Sequence, residues 1–272
     1  MTTMNEAFHF LAAPLAMCLI LAGIHCYLGL HVLARGVIFV DLSLAQVAAL
    51  GATCALLLGF EGHSTAAYFV SLSTTFLAAG LFALARRHEE DFSQEAIIGI
   101  VYALSSAAIV LVVDRLPHGA EHMKELMVGQ VLWVTWSDVA KTAAIYAVVS
   151  LVHYIFRRQL LNVSFGRPQT RAGFWDFLFY ALFGVVITSS VGVAGVLQVF
   201  AYLIVPSILG TVFFKTVRGR LLFGWATSLV LSCVGMWLSW ALDVPAGAFI
   251  VVLFTIFPIA VLLYRSLIGH KK

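Results

Sequence analysis

Long apolar runs follow one another through this sequence and limit what it can fold into. Charged or Gly- and Pro-rich breaks separate nine runs, most of them near the ~20 residues that a helix needs to cross a bilayer. The runs cover residues 8–33, 37–59, 65–85, 96–113, 139–156, 174–190, 192–214, 221–241 and 246–264. They predict an all-α, polytopic integral membrane helix bundle with eight to nine transmembrane helices.

Composition excludes a water-soluble protein. Of the 272 residues, 62% are apolar and 11% are charged, whereas soluble domains have roughly 45–50% and about 25%. The polar residues are scattered among the breaks and never form a stretch long enough to bury a core of its own. We therefore expect a single membrane domain over residues 1–272, without a soluble domain.

The number of spans depends on the junction between the sixth and seventh runs. These runs meet at Ser189 to Gly192 with almost no loop between them. One of the two could then be a half-helix or a re-entrant piece, as occurs where transporter helices are broken. Nine spans is the prediction, and eight is the alternative.

The basic residues predict the orientation, because Lys and Arg accumulate in cytoplasmic loops. With the N-terminus outside and nine crossings, thirteen of the sixteen basic residues lie inside; Arg115, Lys124 and Lys141 are the exceptions. The expected topology is N-out and C-in. A basic inner rim facing anionic lipid accounts for the net charge of +3, so no nucleic-acid partner is implied.

Four stretches of the sequence carry a family resemblance, and they occur in the family's order. They are EDFSQEAIIGIVYA (Glu90–Ala103), LLNVSFGRPQTRAG (Leu160–Gly173), VGVAGVLQVFAYLIVPSILGTVF (Val191–Phe213) and LSWALDVPAGAFIVVLF (Leu238–Phe254). Together they resemble the ABC-3 class, the membrane permease subunits of ABC importers for zinc, manganese and iron. The resemblance implies a multi-pass permease in a bacterial-type cytoplasmic (inner) membrane, with the divalent metal as transported substrate and no permanently bound cofactor.

The resemblance also implies the partners of this chain. They are a separate cytoplasmic ABC ATPase, an extracytoplasmic solute-binding protein and a second permease in a homodimer or paired permease. No G-x-x-x-x-G-K-[ST] phosphate loop occurs in the sequence, so the chain is not expected to be an enzyme with its own ATPase site.

The basic segment 157–173 is the predicted coupling helix that docks on the ATPase. It lies between two spans, and it contains apolar residues as well as arginines. A groove in a partner protein commonly takes an amphipathic helix of this kind. The expected coupling residues are Leu160, Leu161, Phe165, Arg167 and Arg171. A plain solvated loop would explain the arginines but not the apolar residues.

Asp41 is the one acid well inside a span, and ionisable residues in a membrane are functional candidates. The resembling family has an Asp and a His four residues apart here, whereas FVDLSLAQVAALG has Asp41 and Gln46, five apart. In a regular helix that spacing separates two side chains by about 140°. Three accounts of the metal site remain open: a π-bulge that restores the register, a weaker oxygen-rich site, or metal selection elsewhere in the chain. Asp41 could instead have a structural role, as an ion-pair partner of Arg35 or of a neighbouring span.

An external cluster is the alternative metal site. The segment Asp114–Asp138 is outside in the predicted topology and contains His118, Glu121, His122 and Glu125. His and carboxylate ligands suit zinc and, less tightly, manganese or ferrous iron. On a helix, residues i, i+3 and i+4 share one face, so the first three could form an open, exchangeable site. The alternative is a loop that is simply polar.

Other polar residues in the spans receive simpler interpretations. His25 and His31 are six residues apart, about 240° around a helix, and each is interpreted as a hydrogen-bonded packing residue. Asp176 lies near a span end, where water would reach it. Gln198 interrupts an apolar helix face and is a candidate neutral oxygen donor along the path, together with Gln46.

Two other functions remain open at this point. An ion-coupled secondary transporter would also lack a phosphate loop, but it needs intramembrane carboxylates to carry coupling ions. An ABC permease for a metal chelate or another small solute would account for the altered Asp–His pair.

Overall fold

Helices make up nearly all of the computed structural model, which describes residues 4–62, 64–90, 92–166 and 171–269. In this part of the chain there is no strand, and one 3₁₀ turn lies at Val131–Trp133. The all-α prediction is confirmed. The helices are α1 (Met4–Arg35), α2 (Val40–Leu57), α3 (Thr65–Arg87), α4 (Gln94–Val113), α5 (Gly119–Val128), α6 (Trp136–Ile155), α7 (Arg157–Ser164), α8 (Ala172–Phe213), α9 (Val217–Leu242) and α10 (Ala246–Gly269).

Eight of these helices are long and apolar enough to cross a membrane: α1, α2, α3, α4, α6, α8, α9 and α10. The count applies to the described residues. The two short helices, α5 and α7, lie in the two longer segments between spans that the sequence predicted. The membrane-protein prediction and its range of eight to nine spans are therefore confirmed.

Helix α8 contains the junction that makes the count ambiguous. It has 42 residues, which at 1.5 Å per residue is about twice the ~30 Å of a hydrocarbon core. Its backbone leaves the helical region at Gly195, where φ is 73° and ψ is 165°. The pieces 172–194 and 196–213 each have about the ~20 residues that a span needs.

The break lies at Gly195 rather than at Ser189 to Gly192, and the expected position was therefore wrong. The hydroxyl of Ser189 donates to Val185 O at 2.9 Å, and that of Ser190 donates to Val186 O at 2.5 Å. These bonds satisfy the two serines inside the helix. Gly195 has the backbone conformation that glycine alone adopts readily, so the helix is interrupted there.

The helices pack into two compact units. The first contains α1 up to Leu30, residues 130–139, and the chain from Leu197 onwards. Within it, α9 packs on α10, and a Cβ at Gly235 would lie 2.9 Å from Ile250 Cγ1. Small residues allow membrane helices to approach this closely.

The second unit contains His31–Gly129 and Ala140–Val196. Helix α2 packs on α3 and α4 within it. The hydroxyl of Ser71 on α3 donates to Ala48 O on α2 at 2.7 Å, and a Cβ at Gly51 would lie 2.7 Å from Ser71 Cα. Hydrogen bonds between helices and close packing stabilise such a helix pair in lipid, because there the hydrophobic effect does not drive helices together.

Candidate functional site

Asp41 lies in the first turn of α2, at the start of the span rather than well inside it as predicted, and is almost completely buried. Its exposed fraction is 1%, and neither carboxylate oxygen has a hydrogen-bond partner among the described residues. Arg35, the counter-ion considered from the sequence, instead donates from Nη1 to Asp176 Oδ1 at 2.7 Å. A buried acid without a counter-ion among the described residues is costly in a membrane protein, so Asp41 stays a candidate functional residue.

Gln46 does not join Asp41 at one site on α2. It is 95% buried, and α2 is a regular α-helix from Val40 to Leu57 without a π turn. The register correction considered from the sequence is therefore absent, and the two side chains diverge by about 140° around the helix axis. A cation bound to Asp41 needs its other ligands from elsewhere.

Glu95 is a second acid at the same end of α2, and the sequence pattern did not single it out. It lies in the first turn of α4, and its Oε1 accepts from the backbone N–H of Phe39, the residue that precedes α2, at 3.2 Å. Its Oε2 is buried and has no hydrogen-bond partner among the described residues. Helix N-termini stabilise negative charge, which helps to explain two acids at the starts of α2 and α4.

The external cluster does not gather three ligands on one helix face. His118 precedes α5 and has a left-handed backbone (φ 59°), so it does not share a helix face with Glu121 and His122 as the i, i+3, i+4 spacing predicted. Its Nδ1 lies 3.6 Å from Glu121 Oε2, and both side chains are about four-fifths exposed. His122 Nε2 instead lies 3.3 Å from Thr53 Oγ1 on α2. No group of three His, Cys, Asp or Glu residues suited to a metal occurs in the described residues.

Helix α7 occupies the predicted coupling segment and has two different faces. Leu160 is fully buried within the chain, so it anchors the helix rather than facing a partner. Leu161 is partly buried and Phe165 is 43% exposed. Arg171 is exposed and has a positive φ of 58°, whereas Arg167 lies outside the described residues.

A buried polar network under α7 was not predicted. Asp176, which we expected water to reach, is 96% buried and pairs with Arg35. Arg35 Nε donates to Ser164 Oγ at 3.0 Å, and His31 Nδ1 lies 2.8 Å from the same hydroxyl. His25 Nδ1 lies 2.7 Å from Leu21 O, so the interpretation of both histidines as hydrogen-bonded packing residues is confirmed.

Gln198 belongs to a polar cluster inside the first unit. It is fully buried, and its Nε2 lies 3.8 Å from Cys18 Sγ. Its Oε1 has no hydrogen-bond partner among the described residues. One turn further along α8, the hydroxyls of Tyr202 and Ser232 lie 2.5 Å apart. Gln198 therefore presents a neutral oxygen inside a span, and its place along a transport path stays a prediction.

Apolar helices of spanning length with polar groups buried between them define a polytopic integral membrane protein. The chain matches the model of the ABC 3 transport family over residues 7–265. It belongs to that family. The resemblance read from the four sequence stretches is confirmed.

Curated relatives and solved structures agree with the family match. The chain is 22% identical over 249 residues to the manganese import system permease protein ScaB of Streptococcus gordonii, covering 90% of this chain and 87% of that protein. It is 25% identical over 268 residues to a probable iron transport system membrane protein of Haemophilus influenzae, covering 96% and 95%. PsaBC from Streptococcus pneumoniae, solved with a Fab, has a similar fold, with a TM-score of 0.73, 20% identity and coverage of 92% and 90%.

Proposed function

We propose that this chain is the permease subunit of an ABC importer that moves divalent manganese or iron into the cell. The family match and the two curated relatives support this function. The choice of metal rests on one structural observation, the pair of acids in the first turns of α2 and α4. Asp41 and Glu95 together present three carboxylate oxygens that are buried and without hydrogen-bond partners among the described residues.

Carboxylate and water ligands suit manganese, and iron enters the proposal through the relative from Haemophilus influenzae. Two carboxylates with water as the remaining ligand make a weak, exchangeable site, which transport requires. Gln46 on α2 and Gln198 on α8 are the proposed neutral oxygen donors. The relatives named above are a manganese permease and a probable iron transport protein, whereas zinc rests on the sequence resemblance alone. The metal is the transported substrate, and we propose no permanently bound cofactor.

The external residues have a smaller role in this proposal. His118 and Glu121 form an exposed pair that a hydrated ion can reach, with His122 as a third ligand only if its side chain turns away from Thr53. We therefore place metal selection at Asp41 and Glu95.

The remaining assignments are the partners and the orientation. A separate cytoplasmic ATPase supplies the energy and docks on α7 and the residues that follow it. Leu161 on α7 and Phe165 and Arg171 beyond it are accessible, and buried Leu160 holds the helix in place. Arg167 belongs to the same docking segment. An extracytoplasmic solute-binding protein delivers the metal, and a second permease completes a homodimer in the cytoplasmic membrane. The chain is one membrane domain, with its N-terminus outside and its C-terminus inside.

An ion-coupled secondary transporter is the second candidate, because two buried carboxylates could also carry coupling protons. The two functions differ in their energy source. Transport by an ABC importer requires ATP, its ATPase and its binding protein, whereas a secondary transporter responds to an ion gradient.

Metal uptake into proteoliposomes distinguishes the candidates. The permease is reconstituted with its ATPase, and the solute-binding protein and radioactive Mn²⁺ are added on the side opposite the ATPase. We expect uptake only when ATP is present on the ATPase side, with no loss after a protonophore. A matched sample carrying an ATPase variant that binds but does not hydrolyse ATP is the control. Uptake by the permease alone, abolished by a protonophore, would overturn the proposal.

A further inference from the structure

The C-terminal residue of α7 is tied to the interior of the second unit by one hydroxyl group. Ser164 is 99% buried, and its Oγ lies 3.0 Å from Arg35 Nε and 2.8 Å from His31 Nδ1. Because a guanidinium only donates, the hydroxyl accepts from Arg35 and can donate to His31. Both partners lie on the last two turns of α1, so α7 is connected directly to the end of a membrane helix.

Arg35 extends this connection to α8. Its Nη1 donates to Asp176 Oδ1 at 2.7 Å, and its guanidinium lies 4.0 Å from the centre of the Phe179 ring. The Arg35 side chain is completely buried and that of Asp176 is 6% exposed. One guanidinium therefore joins the α7 hydroxyl to a carboxylate on α8, and its planar, forked shape makes both contacts possible at once.

The charged groups of this network have more than one available contact, which allows a second arrangement of their ion pairs. Arg86 on α3 approaches the same Asp176 oxygen with its Nε at 3.5 Å, so two cations share one carboxylate. Arg35 Nη2 is buried and has no hydrogen-bond partner among the described residues. A small displacement of α7 can thus shift Asp176 from Arg35 towards Arg86. Coupling between distant sites requires an element of this kind, with two discrete arrangements.

We propose that Arg35 is a positioning residue that transmits movement of α7 to α1 and α8. This inference rests on the proposed function, in which the ATPase docks on α7. When the ATPase moves α7, Ser164 shifts the Arg35 guanidinium, and the exchange of Asp176 between Arg35 and Arg86 moves the start of α8. The network thereby links ATP hydrolysis to the opening and closing of the membrane path.

The test compares variants of the complete complex of permease, ATPase and binding protein in proteoliposomes. Three quantities are measured: co-purification of the ATPase, the ATP hydrolysis rate, and the Mn²⁺ transported per ATP hydrolysed. For Ser164→Ala we expect normal co-purification and hydrolysis, with transport per ATP lower by about fivefold or more, the usual lower range of allosteric coupling. Arg35→Lys should behave in the same way, because one ammonium cannot hold both Ser164 and Asp176.

Two further variants control for loss of a hydroxyl and loss of structure. Ser71→Ala removes another buried hydrogen bond between helices of the same unit and should leave transport per ATP unchanged. Ser164→Thr keeps the hydroxyl and should restore the ratio. Unchanged transport per ATP in both Ser164→Ala and Arg35→Lys would overturn the inference. So would a Ser164→Ala permease that no longer retains the ATPase, because the hydroxyl would then only anchor α7.

The docking surface is tested separately with Phe165→Ala. We expect this variant to lose the ATPase during purification, because the exposed ring belongs to the proposed docking surface. Retention of the ATPase would overturn the docking proposal and the inference that rests on it. Loss of the ATPase from Phe165→Ala, together with normal transport per ATP in Ser164→Ala, would overturn the inference alone.

Discussion

The backbone of Gly129, after α5, lies directly against the backbone of Gly195, where α8 is interrupted. A Cβ on Gly129 would overlap the carbonyl group of Ala194, and one on Gly195 would lie 2.7 Å from Met127 O. Both glycines have φ near +72°, with ψ near 180°, a conformation essentially restricted to glycine. The contact joins the segment that contains the external cluster to the break in a membrane helix.

Gly129→Ala and Gly195→Ala are each expected to destabilise the protein severely. Backbone strain of about 1–3 kcal/mol adds to the steric overlap at both positions. Gly192→Ala is the matched control on the same helix, because its Cβ would meet nothing within 4 Å. Thermal unfolding of the detergent-purified protein measures the effect. Equal melting temperatures for the Ala variants at 192 and 195 would show that the close contact is not required.

Asp41→Asn is expected to reduce manganese uptake at least about tenfold, since a change of ~1.4 kcal/mol in a rate-limiting step is a factor of ten. The amide keeps the shape of the side chain but removes the charge that attracts the cation. Glu95→Gln should have a smaller effect, because one Glu95 oxygen is already occupied by the N–H of Phe39. The measurement is ATP-dependent uptake of radioactive Mn²⁺ by whole cells, with expression checked by immunoblot.

Asp114→Asn is the control for this pair, because it removes an exposed acid at the other end of α4. Its uptake should equal that of the parent protein. If Asp41→Asn also transports normally, then Asp41 has only a packing role.

The external cluster is expected to contribute little to uptake. His118→Ala combined with Glu121→Ala should keep transport within about twofold of the parent, because two exposed ligands without a fixed third ligand bind a metal weakly. Adding His122→Ala also removes the contact with Thr53 and should lower the melting temperature slightly. Uptake is measured over a range of Mn²⁺ concentrations. A large rise in KM for the double variant would reassign metal selection to this cluster.

The two partners of the buried ion pair are expected to differ in their effect on stability. After Arg35→Ala, Asp176 still has Arg86 at 3.5 Å as a counter-ion. After Asp176→Ala, Arg35 stays buried and keeps its contact with Ser164, but its Nη1 loses the carboxylate partner. Breaking a buried pair costs ~3–5 kcal/mol when a charge is left uncompensated. The melting temperature should therefore fall further for Asp176→Ala, and the reverse order would contradict this reasoning.

The proposed orientation can be checked by labelling with a membrane-impermeant maleimide. The four native cysteines, Cys18, Cys26, Cys54 and Cys233, are first replaced by serine or alanine. Glu121→Cys should then react in intact cells, whereas Glu89→Cys should react only after permeabilisation; both positions are exposed. Labelling of Glu89→Cys in intact cells, with Glu121→Cys protected, would reverse the topology.

The helical spans were predictable because each depends on local composition. In a bilayer the backbone must satisfy its own hydrogen bonds, so a sufficiently long apolar run becomes a helix whatever its neighbours are. The short helix α7 was located differently, from apolar residues such as Leu160 and Val163 that stand among polar ones between two spans. The junction in α8 was recognised, but its position was not, because Ser189 and Ser190 satisfy their hydroxyls within the helix.

The polar contacts were not predictable, because each depends on which helix lies beside the residue. Arg35 is six residues from Asp41 in the sequence, yet it pairs with Asp176 on α8. Glu95 reaches the start of α2 from α4, and His118 lies outside α5 although it belongs to the same short segment.

The sequence by itself therefore determined the membrane class, the helical spans and the family, since hydropathy and motif order are properties of the chain alone. The tertiary structure decided which acid has a counter-ion, which histidines share a face and where α8 is interrupted. For the acids the physical reason is the cost of burying charge in a medium of low polarity; for α8 it is the backbone contact between Gly129 and Gly195, which glycine alone permits. Packing determines which neighbours lie close enough to a buried charge to lower that cost.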